Sequence, residues 1–130
     1  MKSGRTIFLV DDDLDDQEIF VLALDEIDPT FACVSAKNGL EAMEKLKDPT
    51  FRPEFIFLDL NMPRMNGIQC LLEIKKDPAL RDIPVVIYTT SSESRHKEET
   101  LALGATAYMT KPPGIEELVT SLQKIFRDYQ

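Results

Sequence analysis

Cysteine is scarce in this sequence, which has only Cys33 and Cys70 among its 130 residues. They lie far apart and form no CxxC motif, so neither a disulfide framework nor a zinc site is indicated. We expect both to be small core residues of a protein in a reducing compartment. Histidine is scarcer still, and His96 lies among charged residues on a predicted helical face. We expect His96 to be solvated, without a catalytic partner.

Long apolar runs are also absent. Only five apolar-leaning residues, Thr6–Val10, precede an acidic run near the N-terminus. This stretch is too short for the apolar region of a signal peptide, and no later run reaches transmembrane length. We therefore expect a cytoplasmic protein that does not insert into a membrane.

Basic residues are outnumbered: the sequence has 15 of them and 23 acidic residues, which gives a formal net charge of −8. Nucleic acids and anionic membranes both attract basic surfaces, so the charge argues against either as a direct partner. It is compatible with a site where carboxylates surround a cation. The length fits one domain, predicted over residues 1–130, and no repeat or linker divides it.

Hydrophobic periodicity predicts five strands and five helices in strict alternation. The predicted strands are Thr6–Val10, Phe31–Ala36, Phe55–Leu58, Pro84–Thr89 and Ala105–Met109. The helices are expected to begin near Asp13, after Asn38, after Gly67, after the capping turn Thr89–Ser92 and at Ile115, and to end at Asp28, Asp48, Asp77, Gly104 and about Phe126. Their apolar stripes include Leu14, Leu40 and Leu72. This alternation is typical of a doubly wound α/β fold with a parallel sheet.

The stretch Phe55–Pro63 joins an apolar strand directly to the carboxylate of Asp59. In open α/β sheets, ligands collect at the carboxyl ends of the strands, although a single Asp there can also be a simple turn residue. The other strand ends decide between these interpretations. They carry Asp11 and Asp12, Asn61, Thr89, Thr90 and Ser91, and Lys111. A parallel sheet brings all of these to one edge.

Three carboxylates at one edge repel each other, at a cost of about 4 kcal/mol per pair at ~4 Å and an effective dielectric of about 20. Lys111 alone cannot neutralise Asp11, Asp12 and Asp59, but Lys111 and a divalent cation nearly do. Oxygen ligands of this kind suit Mg²⁺, which in turn favours phosphate. The sequence therefore predicts phosphoryl transfer to Asp59, with Lys111 and Thr89 contacting phosphoryl oxygens.

An ordered set of short motifs resembles one family. The motifs are Val10-Asp11-Asp12-Asp13, Leu58-Asp59-Leu60-Asn61-Met62-Pro63, Asn66-Gly67, Tyr88-Thr89-Thr90, Gly104-Ala105 with Tyr108, and Lys111-Pro112. No single motif is specific, but together they resemble the receiver domain of bacterial two-component response regulators, from about Thr6 to Phe126. The resemblance implies a flavodoxin-like (βα)5 fold with strand order 2-1-3-4-5.

The resemblance also implies how the site is divided among its residues. Asp59 matches the phosphoacceptor, Asp12 the direct Mg²⁺ ligand and Asp11 a ligand that acts mostly through water. Asn61 is expected to offer its backbone carbonyl to the metal. Asn61 and Ser91 flank the site and are expected to influence the access of water to the phosphoryl group.

Further implied roles concern the response to phosphorylation. Thr89 matches the switch hydroxyl, Tyr108 the switch aromatic residue that rotates inward, and Lys111 the phosphate-binding ammonium. The Lys111–Pro112 bond is expected to be cis, an isomer largely confined to bonds before proline.

The implied phosphodonor is a phosphohistidine on a sensor histidine kinase or a histidine phosphotransfer protein. By analogy, Leu14 and Ile19 of the first helix and the loop Lys111–Pro113 dock the donor. Leu14 departs from the family, where many relatives carry Pro, and the Pro112-Pro113-Gly114 turn is stiffer than usual. Because the sequence ends soon after the last helix, we expect a stand-alone regulator without an output domain. It is predicted to be a monomer, or a dimer through the fourth helix, fifth strand and fifth helix when phosphorylated.

Two other classes of function are left open. A receiver-like binding module independent of phosphorylation usually lacks an acid, the Thr or the Lys, and none is missing here. A Mg²⁺-dependent aspartyl phosphatase usually carries a second acid two residues after its nucleophile, where this sequence has Asn61. We therefore expect a phosphoacceptor that is not an enzyme in the usual sense, with slow autodephosphorylation as its only turnover.

Overall fold

The structure, a computed structural model, describes residues 5–129. Within this range five strands and five helices alternate. The strands are β1 (Thr6–Val10), β2 (Ala32–Ala36), β3 (Phe55–Leu58), β4 (Val85–Thr89) and β5 (Ala107–Thr110). The helices are α1 (Leu14–Ile27), α2 (Gly39–Leu46), α3 (Gly67–Lys76), α4 (Ser94–Ala102) and α5 (Ile115–Tyr129). The strands form one parallel sheet in the order β2-β1-β3-β4-β5, which confirms the predicted flavodoxin-like fold.

The centre of the sheet is apolar on both faces. Phe8 and Ile56 belong to one hydrophobic cluster with residues of α2 and α3, whereas Ile7 and Phe57 belong to a second cluster with residues of α1 and α5. Burying a side chain of this size contributes about 1.5–3 kcal/mol. A strand covered on both faces needs an apolar residue at every position, which explains the unbroken apolar run of β3.

Side-chain caps mark the starts of three helices; those of α1 and α2 are as predicted, whereas α3 begins at Gly67 itself and not after it. The Asp13 side chain accepts hydrogen bonds from two backbone N–H groups of α1, and Asn38 caps α2 through Glu41 N–H. Asn66 forms a capping box with Gln69 at the start of α3. After α4, Gly104 has a φ of 109°, the left-handed conformation expected of a helix-ending glycine.

Other boundaries differ from the prediction. The N-cap of α4 is Glu93, which makes no side-chain capping bond, so the predicted cap within Thr89–Ser92 is wrong. β2 begins one residue later than predicted, and β5 is shifted to Ala107–Thr110. Strand ends are set by backbone pairing, and Thr110 pairs in register with Thr89 of β4. The apolar pattern of the sequence, from which the strands are predicted, carries no information on this pairing.

The predicted apolar stripes are too wide. The exposed fractions of Leu14, Leu40 and Leu72 are 68%, 44% and 39%. The sheet contacts only one side of each helix, and in α2 Ala42 and Leu46 fill that side. Over the described range, no helix combines the length and the apolar character needed to cross a membrane.

Both cysteines pack as predicted. Cys70 is fully buried, and Cys33 is partly buried against the cluster on the α1 and α5 side. Burial raises the pKa of Cys70 to about 12 and that of Cys33 to about 11. Both thiols therefore stay protonated and poorly nucleophilic near neutral pH.

Candidate functional site

The polar residues that follow β1, β3 and β5 are each held by one more backbone hydrogen bond of the sheet. Asp11 N–H donates to the last residue of β2 at 2.9 Å, and Asp59 N–H donates to the last residue of β1 at 3.0 Å. Lys111 N–H donates to the last residue of β4 at 2.7 Å. The side chains of these three residues therefore project from a rigid edge of the sheet, although the residues lie just outside the regular strands.

Asp11, Asp12 and Asp59 meet at this edge. One carboxylate oxygen from each lies within 4.8 Å of the others. Asp11 is fully buried and the exposed fraction of Asp59 is 6%, whereas Asp12 is exposed. The three acids gather at one edge as parallel topology predicts, and the structure adds that two of the carboxylates are sheltered and one opens to solvent.

Lys111 lies inside this group of acids. Its Nζ is 2.8 Å from Asp11 Oδ2, 2.6 Å from Asp16 Oδ2 and 3.2 Å from Asp59 Oδ2. The ammonium also lies 5.3 Å from the centre of the Tyr88 ring. Burial alone would lower the pKa of Lys111, but the carboxylate contacts outweigh it and raise the pKa above its ordinary value. Lys111 therefore carries a full positive charge at any physiological pH.

Asp11 has one well-bonded oxygen and one poorly bonded oxygen. Oδ1 accepts a hydrogen bond from Asp13 N–H at 2.9 Å. Oδ2 contacts the Lys111 ammonium without hydrogen-bond geometry, and within residues 5–129 no donor bonds to this buried atom. Burial raises the pKa of Asp11, and Lys111 partly opposes the rise.

The donor set fits a divalent cation. The Lys111 ammonium lies beside the buried Asp11 Oδ2, but one ammonium cannot balance the charge of three clustered carboxylates. One oxygen of each carboxylate lies within 4.8 Å of the others, and hard oxygen ligands are those that Mg²⁺ prefers. This edge of the sheet can therefore bind a small divalent cation.

The loop after β3 supports Asp59 from the other side. Asn61 N–H donates to Asp59 Oδ1 at 3.4 Å, while the Asn61 side chain is exposed. Gly67, the first residue of α3, donates its N–H to Leu60 O at 3.1 Å. A Cβ at Gly67 would overlap the Asp59 carbonyl oxygen and lie 2.7 Å from Leu60 Cα. Only glycine lets α3 begin this close to the Asp59 backbone.

Gly67→Ala is expected to lower the free energy of unfolding by about 2 kcal/mol, because rigid backbone must move to admit the methyl group. Urea unfolding followed by circular dichroism measures the change. Gly114→Ala is the control, because its Cβ would meet only the flexible Glu117 side chain. Equal stability of the two variants would contradict the steric argument.

Thr89 and Tyr108 are both connected to Ser91 in the loop before α4. Thr89 is fully buried, and its Oγ1 accepts a hydrogen bond from Ser91 N–H at 3.5 Å. The half-buried Tyr108 donates its hydroxyl to Ser91 O at 2.7 Å. Ser91 Oγ lies 2.7 Å from His96 Nδ1 in a hydrogen bond. The expectation that His96 is merely solvated is therefore wrong, because the first turn of α4 folds back on this loop.

The sequence interpretation missed Asp16, which it treated only as part of an acidic run. Asp16 makes the shortest of the contacts to Lys111. A signal was present: Asp16 follows the N-cap Asp13 by three residues, and helical geometry places it in the first turn of α1. The sequence does not show that Lys111, which is 95 residues away, contacts this turn.

The expectation of a cis bond before Pro112 is also wrong. No peptide bond of the described chain is cis. The trans isomer is favoured even before proline, and it is compatible here with the bond from Lys111 N–H to Thr89 O.

Comparison with known proteins identifies the kind of domain. A family model described as response regulator receiver domain matches residues 7–123. The chain is 33% identical to the phosphate regulon transcriptional regulatory protein PhoB of Pseudomonas aeruginosa, over 95% of this chain and 52% of PhoB. It thus spans about half the length of PhoB. It is 32% identical to the response regulator Rcp1 of Synechocystis, over 93% of this chain and 86% of Rcp1.

Solved structures agree with these matches. The phosphorylated cyanobacterial phytochrome response regulator RcpA is 33% identical, with a TM-score of 0.86 over 95% of this chain and 91% of that chain. The Mn²⁺-bound form of Rcp1 is 31% identical, with a TM-score of 0.83 over 94% of this chain and 91% of that chain.

Proposed function

This chain belongs to the response regulator receiver domain family, and we propose that Asp59 is its phosphoacceptor in a two-component or phosphorelay system. One observation carries the proposal: Asp11, Asp12 and Asp59 gather at one sheet edge, and the Lys111 ammonium contacts Asp11 and Asp59. Such a site combines a nucleophilic carboxylate with the positive charge that phosphoryl transfer requires.

The proposed reaction forms a bond between an Asp59 carboxylate oxygen and phosphorus. The nitrogen–phosphorus bond of a donor phosphohistidine breaks, and its electron pair stays on the imidazole. The backbone bond from Asp59 N–H to β1 orients the nucleophile, and the Lys111 ammonium neutralises a phosphoryl oxygen.

The proposed cofactor is Mg²⁺, held by Asp11, Asp12, Asp59 and the backbone carbonyl of Asn61. When bound, a divalent cation neutralises negative charge on the transferring phosphoryl group. The clustering of the Asp11, Asp12 and Asp59 carboxylates supports this assignment, as does the existence of a Mn²⁺-bound form of Rcp1. Asn61 and Ser91 are proposed to set the access of water to the phosphoryl group and hence the rate of its hydrolysis.

The proposed response begins at Thr89. A phosphoryl group on Asp59 attracts the Thr89 hydroxyl, which then leaves the bond from Ser91 N–H. Because Tyr108 is bonded to the carbonyl of the same Ser91, movement of this loop is transmitted to β5 and α4. A local change of charge thereby biases a two-state surface.

The proposed donor is a sensor histidine kinase or a histidine phosphotransfer protein in the cytoplasm. Leu14 and Ile19 are exposed on α1, as a docking surface for this donor requires. The stand-alone character, the monomeric state and a dimer through α4, β5 and α5 after phosphorylation stay predictions.

Incubation with acetyl phosphate and Mg²⁺, followed by intact-mass spectrometry and phosphate release assays, tests the function. A single acyl-phosphate adduct that is lost in acidic hydroxylamine supports a phosphoacceptor. Continuous phosphate release without an adduct supports a phosphatase instead. Absence of both supports a binding module that works without phosphorylation and overturns the proposal.

A further inference from the structure

Lys111 bonds to a carboxylate outside the acidic cluster at the strand ends. Asp16 Oδ2 accepts a hydrogen bond from Lys111 Nζ at 2.6 Å, shorter than the 3.2 Å bond from the same ammonium to Asp59. The exposed fraction of the Asp16 side chain is 29%, against 9% for Lys111 and 0% for Asp11. Asp16 therefore lies at the rim of the cleft, and the ammonium spans from the buried cluster to that rim.

Asp16 is held firmly enough to position another group. The N-cap Asp13 accepts hydrogen bonds from Asp15 N–H at 2.9 Å and from Asp16 N–H at 3.1 Å, which orders the first turn of α1. The Tyr88 ring lies on the Lys111 ammonium at 5.3 Å. The ammonium thus contacts two groups that do not belong to the cluster, Asp16 and this ring.

The same ammonium also occupies the carboxylates assigned to Mg²⁺. Lys111 contacts Asp11 Oδ2 at 2.8 Å and Asp59 Oδ2 at 3.2 Å. An ammonium and a divalent cation repel each other strongly at such distances in a sheltered site. Mg²⁺ can therefore take these oxygens easily only if Lys111 has another anion close by.

We infer that Asp16 is a positioning residue for Lys111. Asp16 keeps the ammonium at the edge of the cleft when Mg²⁺ occupies Asp11 and Asp59, and so holds it where an incoming phosphoryl oxygen needs it. Without Asp16, the anionic partners left to Lys111 among residues 5–129 are the proposed metal ligands Asp11 and Asp59, and Lys111 competes with Mg²⁺ for them. The inference rests on the proposed Mg²⁺-dependent phosphoacceptor function.

Mg²⁺ affinity of the unphosphorylated chain, measured by isothermal titration calorimetry, tests this role without any turnover. Asp16→Asn is expected to weaken Mg²⁺ binding about tenfold, within the range for directly coupled charged groups. Asp15→Asn is the matched control, because Asp15 is exposed in the same turn; it is expected to change affinity less than about twofold, since surface charges are largely screened. Asp16→Glu is expected to restore most of the affinity.

A double-mutant cycle separates action through Lys111 from a general effect of charge. In a Lys111→Met background, Asp16→Asn is expected to change Mg²⁺ affinity no more than Asp15→Asn does. Equal effects of Asp16→Asn and Asp15→Asn in the presence of Lys111 would overturn the inference, and that comparison does not require a folded Lys111→Met protein. An undiminished Asp16→Asn effect in the Lys111→Met background would also overturn it.

The failure of this inference is distinguishable from failure of the proposed function. A wild-type chain that neither binds Mg²⁺ nor accepts a phosphoryl group from acetyl phosphate overturns both. A wild-type chain that does both, with normal Mg²⁺ affinity in Asp16→Asn, overturns the role of Asp16 alone.

Discussion

Asp59→Asn is expected to abolish phosphoryl uptake from acetyl phosphate. The amide has no anionic oxygen to attack phosphorus, and the neighbouring carboxylates are otherwise engaged. Asp11 is fully buried and Asp12 is exposed beside it, and both are proposed Mg²⁺ ligands whose oxygens are expected to be engaged at saturating Mg²⁺. The measurement is the stoichiometry of the adduct by intact-mass spectrometry at saturating Mg²⁺.

Asp15→Asn provides the control for this loss. It makes the same acid-to-amide change at an exposed position near the site and is expected to be labelled like the wild type. If Asp59→Asn were labelled at the wild-type stoichiometry, the acceptor would be another residue and the assignment of Asp59 would fail.

Lys111→Met is expected to lower the free energy of unfolding by about 3 kcal/mol at neutral pH. The change leaves the fully buried Asp11 and the nearly buried Asp59 without their cation, and an uncompensated buried charge is strongly destabilising. Urea unfolding without Mg²⁺ measures the loss. Lys124→Met is the control, because Lys124 pairs with Asp128 at the surface and such pairs contribute about 1 kcal/mol at most.

The pH dependence of this variant follows from Asp11. Burial already raises the pKa of Asp11 above its ordinary value, and removal of Lys111 raises it further. A native state with a raised carboxyl pKa binds protons that the unfolded chain releases, so stability increases as pH falls toward the ordinary Asp range. The free energy of unfolding of Lys111→Met is lower than that of the wild type, and this difference is therefore expected to shrink as the pH falls from about 8 to about 4.5. A difference that stays constant over this range would argue against an unpaired Asp11.

Wild-type Lys111 has a pH dependence of the same direction, but at a much higher pH. Its pKa is raised above the ordinary lysine value by the carboxylate contacts, so its stabilising contribution is complete below that ordinary value. The contribution disappears only as pH rises through the raised pKa. The ion pair therefore operates at full strength throughout the neutral range in which phosphoryl transfer is tested.

The agreement between sequence and structure is best at β3. An apolar run with residues on both faces of a sheet has few alternatives to a central parallel strand, and the carboxylate after it must then lie at the sheet edge. The same logic placed Asp11 and Lys111 correctly, because each follows its strand and the backbone ladder continues to that residue.

Agreement is weaker where a contact depends on helix orientation. Leu40 and Leu72 match an apolar stripe, yet they are exposed, because the sheet reaches only part of each helix surface. His96 was misjudged for a related reason: its partner Ser91 lies in a loop whose path depends on where α4 begins.

The sequence by itself determined the alternation of strands and helices, the parallel sheet and the gathering of Asp11, Asp12, Asp59 and Lys111 at one edge. Periodicity and strand ends are local properties of the sequence. Once the sheet is parallel, they place the residues that follow the strands at the same edge. Only the tertiary structure decided that Lys111 bonds to Asp16 and that Ser91 connects Thr89, Tyr108 and His96. Those contacts depend on distances of a few ångströms between elements far apart in the chain, which are set by the packing of the whole domain.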